Sequence, residues 1–334
     1  AFIEGAALFG LGLAFLISIL LVAVVAAHTN SLLAQWTRFK SDYNRQYASS
    51  SEEAMRFRNF ASNLERAKEM QATMPEARFG VTQFSDLSLE EFRSQYLMKN
   101  MPPLDQAKLD AHYHGNSTYK SLKASSTWNW EDKGATTPIY NQGQCGSCWA
   151  FSATETVESF WKMAGNPLTQ LSMEQVVDCD TQCYGCQGGW TYAAYEYMEQ
   201  AGGLDSYSSY PYTAGGGQSG QCQFNKQNVA AHISGWKYVT QSDDENEMRS
   251  FSEQNGPLSV CVYAEAWMSY QGGVFMASQC QGQIDHCVQF VGWNMGASTP
   301  YLIIRNSWGA SWGENGNIWL QAGQNTCSVG DVVT

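Results

Sequence analysis

The sequence predicts an α+β protein, because apolar residues recur at helical spacing through much of its first half while strand-like runs fill its last third. Helical stripes occupy residues 31–47, 51–71 and the stretch after Ser147; strand-like runs occupy Val229–Val239, His286–Trp293 and Tyr301–Arg305. Charge divides the chain in two. Up to residue 123 there are thirteen Lys and Arg against twelve Asp and Glu, and beyond it six against nineteen, giving +1 and −13. A unit that acidic repels phosphates, which excludes nucleic acid as its partner.

The 334 residues can bury a large core without cross-links, so the ten cysteines need another reason. All ten lie between Cys145 and Cys327, which points to an oxidising compartment. Residues 5–27 form an apolar run ending in Val25-Ala26-Ala27, as a secretory signal does before its cleavage site. The length of that run alone would also permit a membrane anchor.

In residues 31–47, Trp36, Phe39, Tyr43 and Tyr47 stand three and four apart, the apolar side of one helix. A second helix is expected from Ser51 to Gln71, where Glu52, Arg56, Phe60, Asn63, Ala67 and Gln71 recur at the same steps. Gly80-Val81-Thr82-Gln83-Phe84-Ser85-Asp86 follows as a turn. From about Met98 to Ser126 periodicity fades into Pro102-Pro103 and scattered polar residues, the composition of a linker. That stretch holds the sequon Asn116-Ser117-Thr118, a candidate glycosylation site at Asn116.

Ser147 is a suitable N-cap for a helix carrying Phe151, Thr154, Val157, Phe160 and Trp161 and ending at Gly165-Asn166-Pro167. Cys148 then sits in the first turn, where free N–H groups and the helix dipole favour a thiolate and lower the thiol pKa from about 8.5. A thiol nucleophile needs a base and a group to orient that base. Only His232 and His286 lie beyond residue 123; His232 reads as a plain strand histidine, leaving His286. Asn306 follows the Tyr301–Arg305 run, with Trp308 and Trp312 placed to shield its amide from water.

Two other cysteine readings compete. Cys179, Cys183 and Cys186 have the spacing of an iron–sulfur site, and Cys145 with Cys148 that of a redox pair. An open cluster is unsuited to an oxidising lumen, and a redox pair requires a neighbouring βαβ pattern that the sequence lacks.

Gln142-Gly143-Gln144-Cys145-Gly146-Ser147-Cys148-Trp149-Ala150-Phe151, with Asp285-His286 and Asn306-Ser307-Trp308, resembles the papain-like cysteine proteases. The Glu52-to-Gln71 series and the Gly80–Asp86 turn resemble their inhibitory propeptide, in the variant of the cathepsin F branch and with Thr82 where Asn is more usual. The resemblance covers Trp36 to Val332. It implies a helical left domain, a β-barrel right domain and a cleft between them, preceded by a helical propeptide, so that 1–27 is signal or anchor, 28–123 propeptide and 124–334 peptidase. It makes Cys148 the nucleophile, His286 the general base and acid, Asn306 its orienting group and Gln142 an oxyanion donor.

The resemblance also implies the disulfides Cys145–Cys186, Cys179–Cys222 and Cys280–Cys327. Gly188 and Gly189 would let a peptide backbone approach, and Asp285 and Trp308 would also bind substrate. An S2 pocket would be lined by Trp190, Thr191, Cys261, Ile284, Cys287 and Val332, with no acid or base among them, so bulky aliphatic or aromatic P2 side chains are expected. Cys261 and Cys287 depart from the family's usual residues there, and a fourth bridge between them is a hypothesis of the sequence. No histidine falls between Cys186 and His232, where exopeptidases of the family add an occluding insertion, so an endopeptidase is expected. The chain would be a monomer acting on protein and peptide substrates, restrained by its own propeptide and by cystatin-like inhibitors, with no metal or organic cofactor. A lysosomal, vacuolar or secreted destination and activation by acid complete the expectation.

Overall fold

The computed structural model describes residues 30–334; the apolar 5–27 run lies outside them. The described chain forms two compact units that divide between Glu65 and Arg66, inside one helix.

In the first unit residues 30–42 are helical (α1), with Trp36 and Phe39 buried. The helix ends five residues before the expected 47, because Asn44 takes a left-handed conformation (φ 48°). Tyr47 instead reaches back from the following loop to stack on Trp36, 5.6 Å between ring centroids. The next helix, α2 (Ser50–Thr73), returns Phe60 to the same aromatic cluster, 5.2 Å from Trp36.

The second unit begins within α2. Strand β1 (Ala77–Phe79) is followed by the buried turn around Phe84 and by α3 (Leu89–Tyr96), whose start is fixed by a reciprocal Ser88–Glu91 capping box. The expected linker is an ordered stretch with two short helices, α4 (Gln106–Ala111) and α5 (Thr118–Ser121). Its polar residues conceal specific anchors. His112 stacks on Trp236 at 4.0 Å, and Tyr119 packs on Phe251 at 5.0 Å.

Strand β2 (Thr127–Asn129) leads to α6 (Cys148–Met163), in which every residue from Cys148 to Ser159 is buried. Such a helix must be enclosed on all sides. On one side lie α7 (Met173–Cys179) and α8 (Thr191–Ala201); on the other, Ser152 Oγ donates to Val288 O at 2.7 Å. A two-stranded sheet pairs β3 (Leu204–Asp205) with β4 (Val229–Ala231). The expected Val229–Val239 strand thus stops after three residues, and Tyr238 pairs with Tyr113 instead.

After α9 (Glu245–Asn255) come β5 (Leu258–Val262), β6 (Tyr270–Phe275), β7 (His286–Asn294), β8 (Tyr301–Arg305), β9 (Asn317–Gln321) and β10 (Val332–Val333). They form a sheet in the order β1-β6-β9-β8-β7-β5-β10, with β2 on β7. Its path does not close among the described residues: β1 pairs only with β6 and β10 only with β5, so the expected barrel is an open sheet. Trp267, Trp293 and Trp308, all at most 1% exposed, fill its core. Burying such a ring fully is worth about 2–3 kcal/mol.

Candidate active site

Cys148 begins α6 and Ser147 stands at its N-cap, but the Ser147 side chain makes no capping bond. Its hydroxyl is paired with Tyr212 Oη at 2.9 Å, which leaves the first-turn N–H groups facing the sulfur. His286 opens β7 directly opposite Val262 of β5, and Asn306 follows the last residue of β8. Sheet pairing therefore delivers the imidazole and the carboxamide to one place.

His286 Nε2 lies 2.8 Å from Asn306 Oδ1. Oδ1 also accepts from Ser307 N, so it is an acceptor and Nε2 must be the donor. Nδ1 then carries the lone pair, and it is buried without a hydrogen-bond partner. Trp308 covers the imidazole at a centroid distance of 4.9 Å. The Cys148 sulfur is fully buried and accepts from Cys287 N at 3.4 Å, one residue from His286.

Gln142 is fully buried as well. Ser307 Oγ donates to its Oε1 at 2.7 Å, which directs Nε2 toward Cys145 O at 2.8 Å and Tyr96 O at 3.0 Å. Ser307 is a positioning residue whose part sequence reasoning missed, although it lies in the Asn306–Trp308 motif.

The thiol is not activated in this state, contrary to the sequence expectation. Burial pushes its pKa up to about 12, against lowering by the N–H groups of Cys287, Trp149 and Cys148, and the same burial pushes His286 down to about 4. Both groups are neutral. What buries them is the leading segment. Met98 N donates to Asp285 O at 2.8 Å, and Lys99 N and Asn100 N both donate to Gln187 O. A Cβ on Gly146 would come within 2.8 Å of Leu97 O, and one on Gly188 within 2.8 Å of Asn100 O.

Met98 joins Trp190, Cys261, Cys287 and Val332 in one buried cluster with Cys148, and Ile284 packs against it. Thr191 is buried with its hydroxyl 2.8 Å from that of Thr334, and Gly189 makes room for Cys183, whose sulfur would be 2.6 Å from a Cβ. The Asp285 carboxylate accepts from Ala264 N, and burial raises its pKa to about 7. Trp190 Nε1 donates to Pro102 O, and Trp308 O accepts from Gln83 Nε2. Asn116 is exposed.

Four disulfides join Cys145–Cys186, Cys179–Cys222, Cys261–Cys287 and Cys280–Cys327. They consume the cysteines that an iron–sulfur site or a Cys145–Cys148 pair would need. Cys148 and Cys183 are free.

Residues 124–334 match the papain family cysteine protease model, and residues 36–92 the cathepsin propeptide inhibitor domain. The chain belongs to the papain family of cysteine proteases. It is 40% identical over 316 residues to a cysteine proteinase of Trypanosoma brucei brucei, covering 94% of this chain and 69% of that protein. Cysteine proteinase 15A of Pisum sativum is 38% identical over 317 residues, with 90% and 85% covered. Among solved structures, digestive procathepsin L2 of Tenebrio molitor superposes with a TM-score of 0.82 at 31% identity, over 90% of this chain and 98% of that one. The recombinant stem bromelain precursor gives 0.77 at 29%, over 91% and 97%. The protein is thus a hydrolase made with its own propeptide inhibitor.

Proposed function

We propose that the mature enzyme is an endopeptidase working through Cys148, His286 and Asn306, with hydrophobic side chains preferred at P2. The observation that carries this reading is the His286–Asn306 bond, which leaves Nδ1 with a free lone pair one residue from Cys287, whose N–H donates to the Cys148 sulfur at 3.4 Å. Once Tyr96–Asn100 leave, water and the helix N-terminus stabilise a thiolate and the imidazole takes its proton. The thiolate attacks the scissile carbonyl; Gln142 Nε2 and the Cys148 N–H hold the oxyanion; His286 returns the proton to the leaving amine. Water then releases the acyl group. Asn306 keeps the ring in its tautomer throughout.

The P2 preference is supported by Met98, an apolar side chain buried in one cluster with Trp190, Val332 and the disulfide-linked Cys261 and Cys287. Activation by acid is supported by ion pairs in which Arg78, Arg93, Lys108 and Lys120 of the propeptide meet Glu314, Glu265, Glu196 and Glu247 of the peptidase. Protonating those carboxylates weakens the contact. Processing near Lys123 and Ala124, a glycan on Asn116, a monomeric state, restraint by cystatin-like inhibitors, and passage to a lysosome, vacuole or the exterior belong to the same reading. Mapping the residue labelled by a thiol-directed epoxide on the processed enzyme tests it. Label on Cys148, abolished together with activity in Cys148→Ala, is expected; full activity with Cys148 absent would refute the mechanism.

A further inference from the structure

A second concavity, of about 710 Å³, opens where the ends of β2, β7 and β8 meet β9. It shares no residue with the catalytic cleft and is built wholly from residues 127–319, so it outlasts removal of the propeptide. Its volume is in the range of small-molecule sites.

Three features define what fits. The walls are aromatic: Trp128 is half-buried, and Tyr301 and Trp319 stack at 4.5 Å. Two buried polar atoms of the lining have no hydrogen-bond partner, the donor Trp128 Nε1 and the acceptor Asn317 Oδ1. Asn317 is 7% exposed, and its amide is oriented because Nδ2 donates to Glu131 Oε2 at 2.9 Å. The lining carries Glu131, Asp132 and Glu314, the last paired with Arg78 at 3.1 Å, against one cation of its own, Lys133, whose ammonium lies 3.9 Å over the Trp128 ring.

An orphaned donor and an orphaned acceptor in one lining call for groups that both accept and donate, which hydroxyls do and ammonium ions do not. Flat apolar faces between such groups stack on aromatic rings. The acidic lining repels sulfated, phosphorylated and uronic rings. We propose that this trough binds a neutral saccharide of one or two rings, with Tyr301 and Trp319 as its platform, Asn317 Oδ1 and Trp128 Nε1 as hydrogen-bond partners, and Lys133 swinging off Trp128 as the second ring enters.

The test is titration of the full-length chain carrying Cys148→Ala, which prevents self-cleavage, with cellobiose at 0.15 and 0.5 M salt. Tryptophan fluorescence and saturation-transfer NMR are the readouts. Saturable binding that is indifferent to salt, weakened at least tenfold by Trp319→Ala and tightened a few-fold by exposed Lys133→Ala, is the expected result. Lys133→Ala keeps the test decisive should Trp319→Ala fail to fold. Absence of saturation by 50 mM, or affinity unchanged in Lys133→Ala, overturns the proposal. So does salt-sensitive binding of tetramethylammonium or a heparin fragment in place of the sugar.

Discussion

Replacing Met98 by Ala is the sharpest perturbation of the closed cleft. Met98 is 7% exposed and lies in one buried apolar cluster with Trp190, Cys261, Cys287 and Val332. Truncation removes about three methylene-sized groups at ~0.8 kcal/mol each, with a small addition for the space left, so the propeptide loses about 2–3 kcal/mol of its hold. The backbone bond from Met98 N to Asp285 O survives the change, so the loss is one of packing. At 1.4 kcal/mol per factor of ten, the open population rises about 30- to 150-fold. The rate at which iodoacetamide labels Cys148 in the uncut zymogen at neutral pH reads that population directly. Met98→Leu, similar in volume, should stay within about fivefold of the parent. A Met98→Ala zymogen labelled within twofold of the parent rate would refute the claim that this side chain plugs the pocket.

In the Cys148→Ala zymogen, where no thiolate competes, His286 makes the closed form sensitive to acid. Its pKa is held at about 4 in the closed state against an ordinary 6.5 when exposed, so its contribution is full above 6.5 and shrinks as pH falls toward 4, by about 2 kcal/mol at pH 5. Asp285 works in the opposite sense. Burial raises it to about 7, so the closed form gains as that carboxyl protonates. Adding Asp285→Asn should therefore steepen the acid opening, measured by proteolytic susceptibility of residues 96–100; an unchanged slope would contradict this balance. Gln142→Ala in the processed enzyme should lower kcat about 10²–10³-fold with KM little changed, whereas a purely structural Gln142 would lower active-site titre instead. Replacing Cys261 and Cys287 by Ser opens a loop of 26 residues and should cost about 3 kcal/mol in a denaturant melt, with a weakened preference for large P2 side chains.

Much of the site is legible in the sequence because its parts are set by local rules. The helix beginning at Cys148 follows from a stripe closed by Gly165-Asn166-Pro167, and β8 occupies the same Tyr301–Arg305 as its apolar run. The ordered helices α4 and α5 were invisible for the converse reason. Their stability comes from contacts distant in sequence, such as His112 on Trp236 and Leu122 O accepting from Asn246 Nδ2 and Ser250 Oγ. Val229–Val239 alternates like a strand, yet only its first three residues join a sheet, while Tyr238 pairs with Tyr113.

Sequence alone determined which residue types could do thiol chemistry and the elements that carry them, since helix starts and strand runs depend on neighbours a few positions away. Only the tertiary structure decided the state of that chemistry. A sulfur at a helix N-terminus is expected to be acidic, but its proton is governed by whether water or another segment lies over it. Here Tyr96–Asn100 lie over it, about fifty residues upstream in the chain, and desolvation outweighs the helix field.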